Sequence, residues 1–177
     1  MDHEEILFAW REEVAKKGRK WEINANIRAE AEEMAKWYNQ EEKWLAVLSG
    51  NVGTGKTTLM HAVKTAEKKK IWNIFSAKEF ALQVVGEPRE ILHISSDFAL
   101  VGMDDVGAEP REVQRYGNKF TPITDFLEVR YRERRKTILT TNLEFEELGE
   151  KYGERVESRL AEMAYPILFF GEDFRKK

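Results

Sequence analysis

From residue 44 onward, the sequence alternates short apolar runs with segments of helical character. The apolar runs are WLAVLSG (44–50), IWNIF (71–75), FALVGM (98–103), TILTT (137–141) and ILFF (167–170). Helical patterns fill 56–69, 122–135 and 145–164, and Ser76 with Glu79 forms a capping-box pair that begins another helix. Strands of continuous apolar character between helices are typical of a parallel sheet covered on both faces. The sequence therefore predicts a three-layer α/β fold around a central sheet of five mostly parallel strands.

The length and composition fit one domain. A chain of 177 residues can bury one core, and 42% hydrophobic with 34% charged residues excludes a disordered chain. The lack of cysteine excludes disulfides, thiolate zinc sites and cysteine nucleophiles. No uncharged stretch approaches the ~20 apolar residues of a membrane span, and the start, MDHEE, is acidic where a signal peptide is basic. We therefore expect a cytoplasmic protein with a single domain over 1–177, in which helices within 1–43 precede a core over 44–177.

The most specific motif is GNVGTGKT, which fits the pattern G-x-x-x-x-G-K-[ST] between an apolar strand and a helical segment. Its glycines let consecutive backbone N–H groups turn toward phosphate oxygens, and the following helix adds its positive end. Lys56 reaches the β- and γ-phosphates, and the Thr57 hydroxyl ligates Mg²⁺. The sequence therefore predicts binding of ATP or ADP with Mg²⁺. The predicted nucleotide-binding residues are Gly50, Asn51, Val52, Gly53, Thr54, Gly55, Lys56, Thr57 and Thr58.

Polar residues follow two further apolar runs. FALVGM is followed directly by Asp104 and Asp105, and TILTT by Asn142. The carboxyl ends of parallel strands gather at one edge of a sheet, where ligands bind in open α/β folds. We expect Asp104 to hold Mg²⁺ through water and Asp105 to polarise the attacking water, while Asn142 contacts the γ-phosphate or that water. Taken alone, the two acids also fit a turn, and Asn142 fits a strand-end cap.

Five segments together resemble a known family. The segments GNVGTGKT, MDDVGAE, LTTNL, YGERVESRL and EDFR occur in the order and at the spacing found in the AAA+ ATPases of the bacterial helicase-loader group. That group contains the DnaC-like replication proteins, and the IstB-like transposition helpers are close relatives. The resemblance extends from about Asn26 to Arg175. It implies an AAA+ type P-loop ATPase that assembles head to tail with ATP and acts on a DnaB-type ring helicase.

The resemblance also implies roles for individual residues. Lys56 and Thr57 correspond to the Walker A motif, and Asp104 and Asp105 correspond to Walker B. Asn142 falls at the sensor-1 position. Asp105 replaces the glutamate of generic AAA+ proteins, although an Asp pair is usual in this group. The shorter carboxylate is expected to orient water with slow turnover.

Three arginines complete the resemblance. Arg159 falls at the arginine-finger position, with Arg155 one helical turn earlier as the alternative, and Arg175 falls at the sensor-2 position. In the resembled group the finger comes from an adjacent subunit, so Arg159 is expected to act in trans. The chain continues for two residues after Arg175, and no separate lid domain is expected.

Basic residues cluster in one segment of a chain whose net charge is −3. Residues 130–136, RYRERRK, hold five basic side chains against one acid. Because a few clustered cations suffice for phosphate contacts, we expect weak, ATP-enhanced binding of single-stranded DNA at this segment. The alternative is a solvated helix face. The residues expected to bind DNA are Arg130, Arg132, Arg134 and Arg135.

Four functions remain open at the level of sequence: a helicase loader, an IstB-like transposition helper, a nucleotide-gated adaptor with little hydrolysis, and a small-molecule kinase. The kinase interpretation is disfavoured because Arg159 and Arg175 would have no role in it. Trp21 or Ile23 is expected beside the adenine. The three histidines are expected to have no metal or triad role because their spacing does not resemble that of ligands; they are His3, His61 and His93.

Overall fold

The computed structural model describes residues 1–67, 72–86, 98–171 and 173–174. Its strands are β1 (Leu45–Gly50), β2 (Trp72–Ser76), β3 (Leu100–Val106), β4 (Val113–Arg115), β5 (Asn118–Phe120), β6 (Lys136–Thr141) and β7 (Ala164–Phe169). Among these residues, five strands form one wholly parallel sheet in the order β2-β3-β6-β1-β7. The remaining strands, β4 and β5, form a small antiparallel hairpin.

The helices cover both faces of the sheet. They are α1 (His3–Lys16), α2 (Ala25–Asn39), α3 (Lys56–Ala66), α4 (Ala77–Gly86), α5 (Pro122–Glu133), α6 (Phe145–Tyr152) and α7 (Glu154–Met163). One hydrophobic core joins α1, α2 and α3 to one face, and the other joins α4 through α7 to the opposite face. Alternate strand residues supply the two cores: Ala46 and Leu48 face the first, and Leu45 and Val47 face the second. The predicted three-layer α/β fold is therefore confirmed.

The strand order determines where the functional motifs meet. Strand β6 lies between β1 and β3, with Val47 opposite Leu139 and Leu139 opposite Met103. The carboxyl ends of these three strands therefore lie side by side at one edge of the sheet. Those ends lead into the GNVGTGKT loop, the Asp104–Asp105 pair and Asn142.

The five predicted core strands are all present, but some boundaries and elements differ. The last strand begins at Ala164 rather than 167, and the predicted helical stretch 145–164 is two helices separated at Gly153, whose φ is +96°. The hairpin of β4 and β5 was not predicted, because its strands are only three residues long and carry no apolar run. Tyr116 at its turn is 90% exposed.

Some residues singled out in the sequence lie outside the described residues, namely Ile71, His93 and Arg175. The sensor-2 role of Arg175 therefore stays a prediction. Within the described ranges, no helix is both long and apolar enough to cross a membrane.

Candidate nucleotide-binding site

The loop between β1 and α3 has the backbone of a phosphate-binding turn. Gly53 and Gly55 have φ values of +82° and +104°, which residues with a Cβ rarely adopt. Gly55 is the N-cap of α3, and a glycine has no side chain that could accept from the first N–H groups of the helix. An anion bound at the end of a helix satisfies such groups well.

Lys56 is buried and connects this loop to the end of β6. Its Nζ donates to the backbone carbonyls of Gly50 at 2.6 Å and Asn51 at 2.7 Å, and to Oδ1 of Asn142 at 3.0 Å. Only 7% of the residue is exposed. The ammonium group is therefore held beside the loop that the sequence assigns to phosphate, where its charge acts with little solvent screening.

A set of oxygen atoms lies at the start of α3. The hydroxyls of Thr57 and Thr140 both donate to Oδ1 of Asp104, at 2.8 Å and 2.5 Å. Hydroxyl and carboxylate oxygens are the ligands that Mg²⁺ prefers, with water and phosphate oxygens completing its shell. Thr57 and Asp104 therefore fit the Mg²⁺ expected from the sequence, and their role as its ligands stays a prediction. Thr140 was not predicted, although alternation along a strand places it on the same face as Asn142.

Asp105 occupies an irregular point of β3. The register with β6 shifts between Met103 and Val106, and Asp105 itself has a φ of +59°. Its backbone N–H donates to Oγ1 of Thr140 at 2.9 Å, and its Oδ1 accepts from Nδ2 of Asn142 at 3.2 Å. The bulge lets the two neighbouring acids take different partners, so that Asp104 meets Thr57 while Asp105 meets Asn142.

Asn142 bridges the cation and the second acid. Its Oδ1 accepts from Lys56 while its Nδ2 donates to Asp105. One amide side chain thus contacts the groups predicted to bind the γ-phosphate and to orient water. The sensor-1 role of Asn142 stays a prediction.

These side chains line a cleft of about 1250 Å³. The connection between α1 and α2 forms its other wall, where Lys17 Nζ donates to Oγ1 of Thr58 at 2.9 Å. Trp21 and Ile23 line this wall, and the Trp21 ring packs on Trp10 with 5.9 Å between centroids. An aromatic and apolar wall opposite a polar floor suits a nucleotide, whose base is apolar and whose phosphates are charged. The predicted site residues along the cleft are Val52, Gly53, Thr54, Gly55, Lys56, Thr57, Thr58, Asp104, Asp105 and Asn142.

The two candidate finger arginines lie on α7, outside the residues that line the cleft. Arg159 Nη1 is 2.9 Å from Oε1 of Glu128, and its guanidinium lies 5.0 Å from the centre of the Tyr131 ring. Arg155 Nε is 3.1 Å from the same carboxylate oxygen. The Arg155 side chain is 71% exposed and that of Arg159 is 17% exposed. Arg155 is therefore the more accessible of the two to a neighbouring molecule.

The prediction that four arginines of the basic run bind single-stranded DNA was wrong for Arg130, which is buried. Its side chain is buried and donates to the Thr137 hydroxyl at 2.8 Å, to the Phe98 carbonyl at 2.8 Å and to the Lys136 carbonyl. Helical spacing explains the error, because Arg130 is four residues after Phe126 and shares its core-facing side of α5. The exposed arginines of the run are Arg132, Arg134 and Arg135.

The sequence matches no protein-family model and no curated protein. Solved structures do match its fold. The structure of the DnaC helicase loader aligns with a TM-score of 0.68 and 21% identity, covering 85% of this chain and 94% of that one. The structure of DnaI aligns with a TM-score of 0.66 and 19% identity, covering 85% of this chain and 88% of that one. AMPPCP-bound DnaA from Aquifex aeolicus aligns with a TM-score of 0.64 and 20% identity, covering 86% of this chain and 50% of that one.

The chain has the AAA+ fold. The predicted likeness to the DnaC-like group is confirmed at the level of three-dimensional structure. In this chain the motifs lie at the carboxyl edge of the parallel sheet, where ligands bind in open α/β folds.

Proposed function

We propose that this protein is a Mg²⁺-dependent ATPase that acts as a DNA replication helicase loader in the cytoplasm. The observation that carries the proposal is the meeting of Lys56, Thr57, Asp104, Asp105 and Asn142 in one cleft. The likeness to the DnaC helicase loader and DnaI supports a role in replication. The likeness to AMPPCP-bound DnaA supports an adenine nucleotide as the ligand. We propose that 1–43 flank this nucleotide and that 44–177 form the core of a single ATPase domain.

The chemistry follows from the positions of these groups. The amides that begin α3 and the Lys56 ammonium would bind the phosphates, while Thr57 and Asp104 would hold Mg²⁺. Bound Mg²⁺ neutralises charge that develops on the phosphate oxygens. Asp105 would orient the attacking water, and its contact with Asn142 would keep its carboxylate directed into the cleft.

Efficient hydrolysis would need a cation from a neighbouring subunit. Neither Arg155 nor Arg159 lines the cleft of its own chain, and both lie on one side of α7 beside Glu128. A head-to-tail contact would place this side of α7 against the next subunit's nucleotide, and repeated contacts of that kind build rings or filaments. An arginine finger raises phosphoryl-transfer rates by roughly 10³–10⁵ in well-studied enzymes. An isolated subunit should therefore bind ATP and hydrolyse it very slowly.

A nucleotide-gated adaptor with little hydrolysis is the second candidate. The contacts of Arg159 with Glu128 and Tyr131 favour it, because a finger must leave these partners before it reaches another subunit. The loader and adaptor differ in whether assembly increases turnover. An IstB-like transposition helper differs from both in its partner, which would be target DNA rather than a ring helicase.

The first test is nucleotide binding. Calorimetric titration with Mg·ATP should give a saturable signal for the wild type and none for Lys56→Ala, which loses the buried ammonium. Lys64→Ala is the matched control, since Lys64 lies on the same helix but contacts Trp72 and Asn73 outside the cleft. Equal affinity of Lys56→Ala and wild type would contradict the site assignment.

The second test separates a trans finger from a structural arginine. Lys56→Ala keeps its arginines and Arg159→Ala keeps its phosphate-binding loop, so a mixture of the two inactive variants should regain ATPase activity at assembling concentrations. The same mixture with Arg155→Ala tests the more exposed alternative. If both arginine variants alone hydrolyse like the wild type, neither residue is the finger.

The third test concerns the partner. ATP-loaded protein should elute with a DnaB-type ring helicase in size-exclusion chromatography, and Lys56→Ala should not. If the wild-type protein does not co-elute with the helicase either with or without ATP, the loader assignment is contradicted. Binding to duplex target DNA instead would favour the transposition helper.

A further inference from the structure

A buried polar cluster forms around Glu109, which follows Asp104 and Asp105 in the chain. The Glu109 side chain is fully buried, and its Oε1 accepts from the Tyr152 hydroxyl at 2.5 Å. Its other oxygen, Oε2, accepts from the backbone N–H of Gly107 at 2.9 Å. A buried carboxylate is unfavourable unless it is paired and hydrogen-bonded. Glu109 meets this condition by using one oxygen for the loop after β3 and the other for the end of α6.

Lys151 completes the cluster. Its Nζ donates to the carbonyls of Gly107 at 2.5 Å and Glu109 at 2.9 Å, and lies 3.7 Å from Oε1 of Glu109. Burial and the hydrogen bond to Glu109 raise the pKa of Tyr152 above its ordinary value. The last turn of α6 thus fixes the backbone over Gly107–Glu109 through two side chains.

The other end of this loop is Asp105. The N–H of Ala108 donates to the Asp105 carbonyl at 3.2 Å, and Asp105 has the left-handed φ of +59° described above. A left-handed conformation is unfavourable for a residue with a Cβ and persists only where surrounding contacts hold it. The contacts of Glu109 lie within four residues of this point on the chain.

The cluster also lies at the start of the helix that carries the arginines. Tyr152 ends α6, and Gly153 leads directly into α7 with Arg155 and Arg159. The two helices pack closely, since a Cβ placed on Gly149 would lie 3.0 Å from side-chain atoms of Glu157. A displacement of the end of α6 must therefore move α7 as well.

We propose that Glu109 is a positioning residue that holds the Asp105 loop through Gly107 and links that loop to α7 through Tyr152 and Lys151. Binding of nucleotide in the cleft and the orientation of α7 are coupled through the buried contacts of Glu109, Tyr152 and Lys151. This inference rests on the proposed nucleotide site, and it adds a route by which that site communicates with the subunit surface. It predicts that loss of the Tyr152 hydroxyl weakens the coupling of the two regions without emptying the site.

Amide hydrogen exchange with and without Mg·AMPPCP tests the link directly. In the wild type, the nucleotide analogue should slow exchange both in 105–109 and in 153–160. In Tyr152→Phe, the slowing should persist in 105–109 and be clearly smaller in 153–160, because only the Lys151 contacts remain. The matched control is Tyr165→Phe, which removes another tyrosine hydroxyl bonded to a glutamate, Glu33 at 2.6 Å, away from the cleft. This control should behave like the wild type.

Steady-state kinetics supply the second measurement. Tyr152→Phe and Glu109→Gln should bind Mg·AMPPCP within about 2-fold of the wild type but lower kcat by roughly 10- to 100-fold, as expected for small misplacements of catalytic groups. A purely structural role would instead weaken binding and kcat together. Tyr152→Phe with wild-type exchange and kcat would overturn the inference. If the wild type itself shows no response to the nucleotide analogue, the proposed nucleotide site fails and not the coupling alone.

Discussion

The burial of Arg130 predicts that this arginine stabilises the fold, unlike the exposed arginines of the same basic run. Replacing Arg130 by alanine removes three donors at once, because the guanidinium bonds the Thr137 hydroxyl and the Phe98 and Lys136 carbonyls. Thr137 and Lys136 belong to β6, and Phe98 lies just before β3. The change therefore removes a junction between α5 and two central strands.

The magnitude follows from two opposing contributions. Hydrogen bonds from a charged donor contribute about 1.5–3 kcal/mol each, and three are lost together with the packing of the side chain. The free-energy cost of desolvating the guanidinium opposes this stabilisation. The same desolvation lowers the pKa of Arg130 from its ordinary value to about 9. Each buried acceptor left without its donor costs about 1–3 kcal/mol. We therefore expect Arg130→Ala to lower the free energy of unfolding by about 3–5 kcal/mol after the regained hydration of the guanidinium is taken into account.

Urea denaturation followed by tryptophan fluorescence measures this free energy, and a thermal scan should show Tm lower by roughly 6–20 °C. The matched control is Arg132→Ala on the same helix, which is exposed and lies 3.9 Å from Glu133. Its free energy of unfolding should stay within about 0.5 kcal/mol of the wild type. A loss below about 1 kcal/mol for Arg130→Ala would refute the reasoning, because a surface arginine behaves in that way.

Three further predictions follow from the site, the surface and one buried acid. Asp105→Asn should bind Mg·ATP within about 3-fold of the wild type yet slow hydrolysis at least ~10-fold, because the water contact is made after binding; unchanged turnover by phosphate release would remove Asp105 from catalysis. Changing Arg132, Arg134 and Arg135 together to Glu should abolish single-stranded DNA binding in fluorescence anisotropy, while wild-type affinity falls steeply with salt; a flat salt response would favour the solvated face. Burial raises the pKa of Glu30 from 4.5 to about 8, so the folded protein holds a proton that the unfolded chain releases, and the free energy of unfolding should fall as pH rises between these values. Glu30→Gln should remove that slope in urea titrations at pH 5 and pH 8, and an unchanged slope would assign it to another group.

The phosphate-binding loop and the strand-end acids could be predicted because their chemistry is encoded locally. Gly50 to Thr57 must be contiguous to wrap phosphate, and Asp104 and Asp105 directly follow their strand. Arg130 was misassigned for the opposite reason. Within a run of charged residues, the sequence does not show which position faces the core. Only the packing of α5 on β6 shows which arginine of the run is buried.

The pairing of Glu109 with Tyr152 could not be predicted in the same way. Both residues lie in segments of the family resemblance, MDDVGAE and YGERVESRL, but they are 43 residues apart and nothing in the sequence shows that they meet. Their pairing depends on how α6 docks against the loop after β3. A motif search identifies the groups that touch the ligand, whereas the groups that hold them in place become visible only from the packed structure.

Because β6 lies between β1 and β3, Asn142 at the end of β6 can contact both Lys56 and Asp105. Lys56 and Asn142 are 86 residues apart, and Asn142 and Asp105 are 37 apart, yet all three side chains lie within hydrogen-bond contact at the sheet edge. If β1 and β3 were direct neighbours, the amide would have no position between the cation and the acid. Under the proposed function, a displacement of Lys56 toward phosphate would reach Asp105 through Asn142, and the Glu109 contacts would continue from Asp105 to the helix that carries the arginines. The strand order would thus place the groups proposed for phosphate binding, water orientation and subunit contact along one connected path.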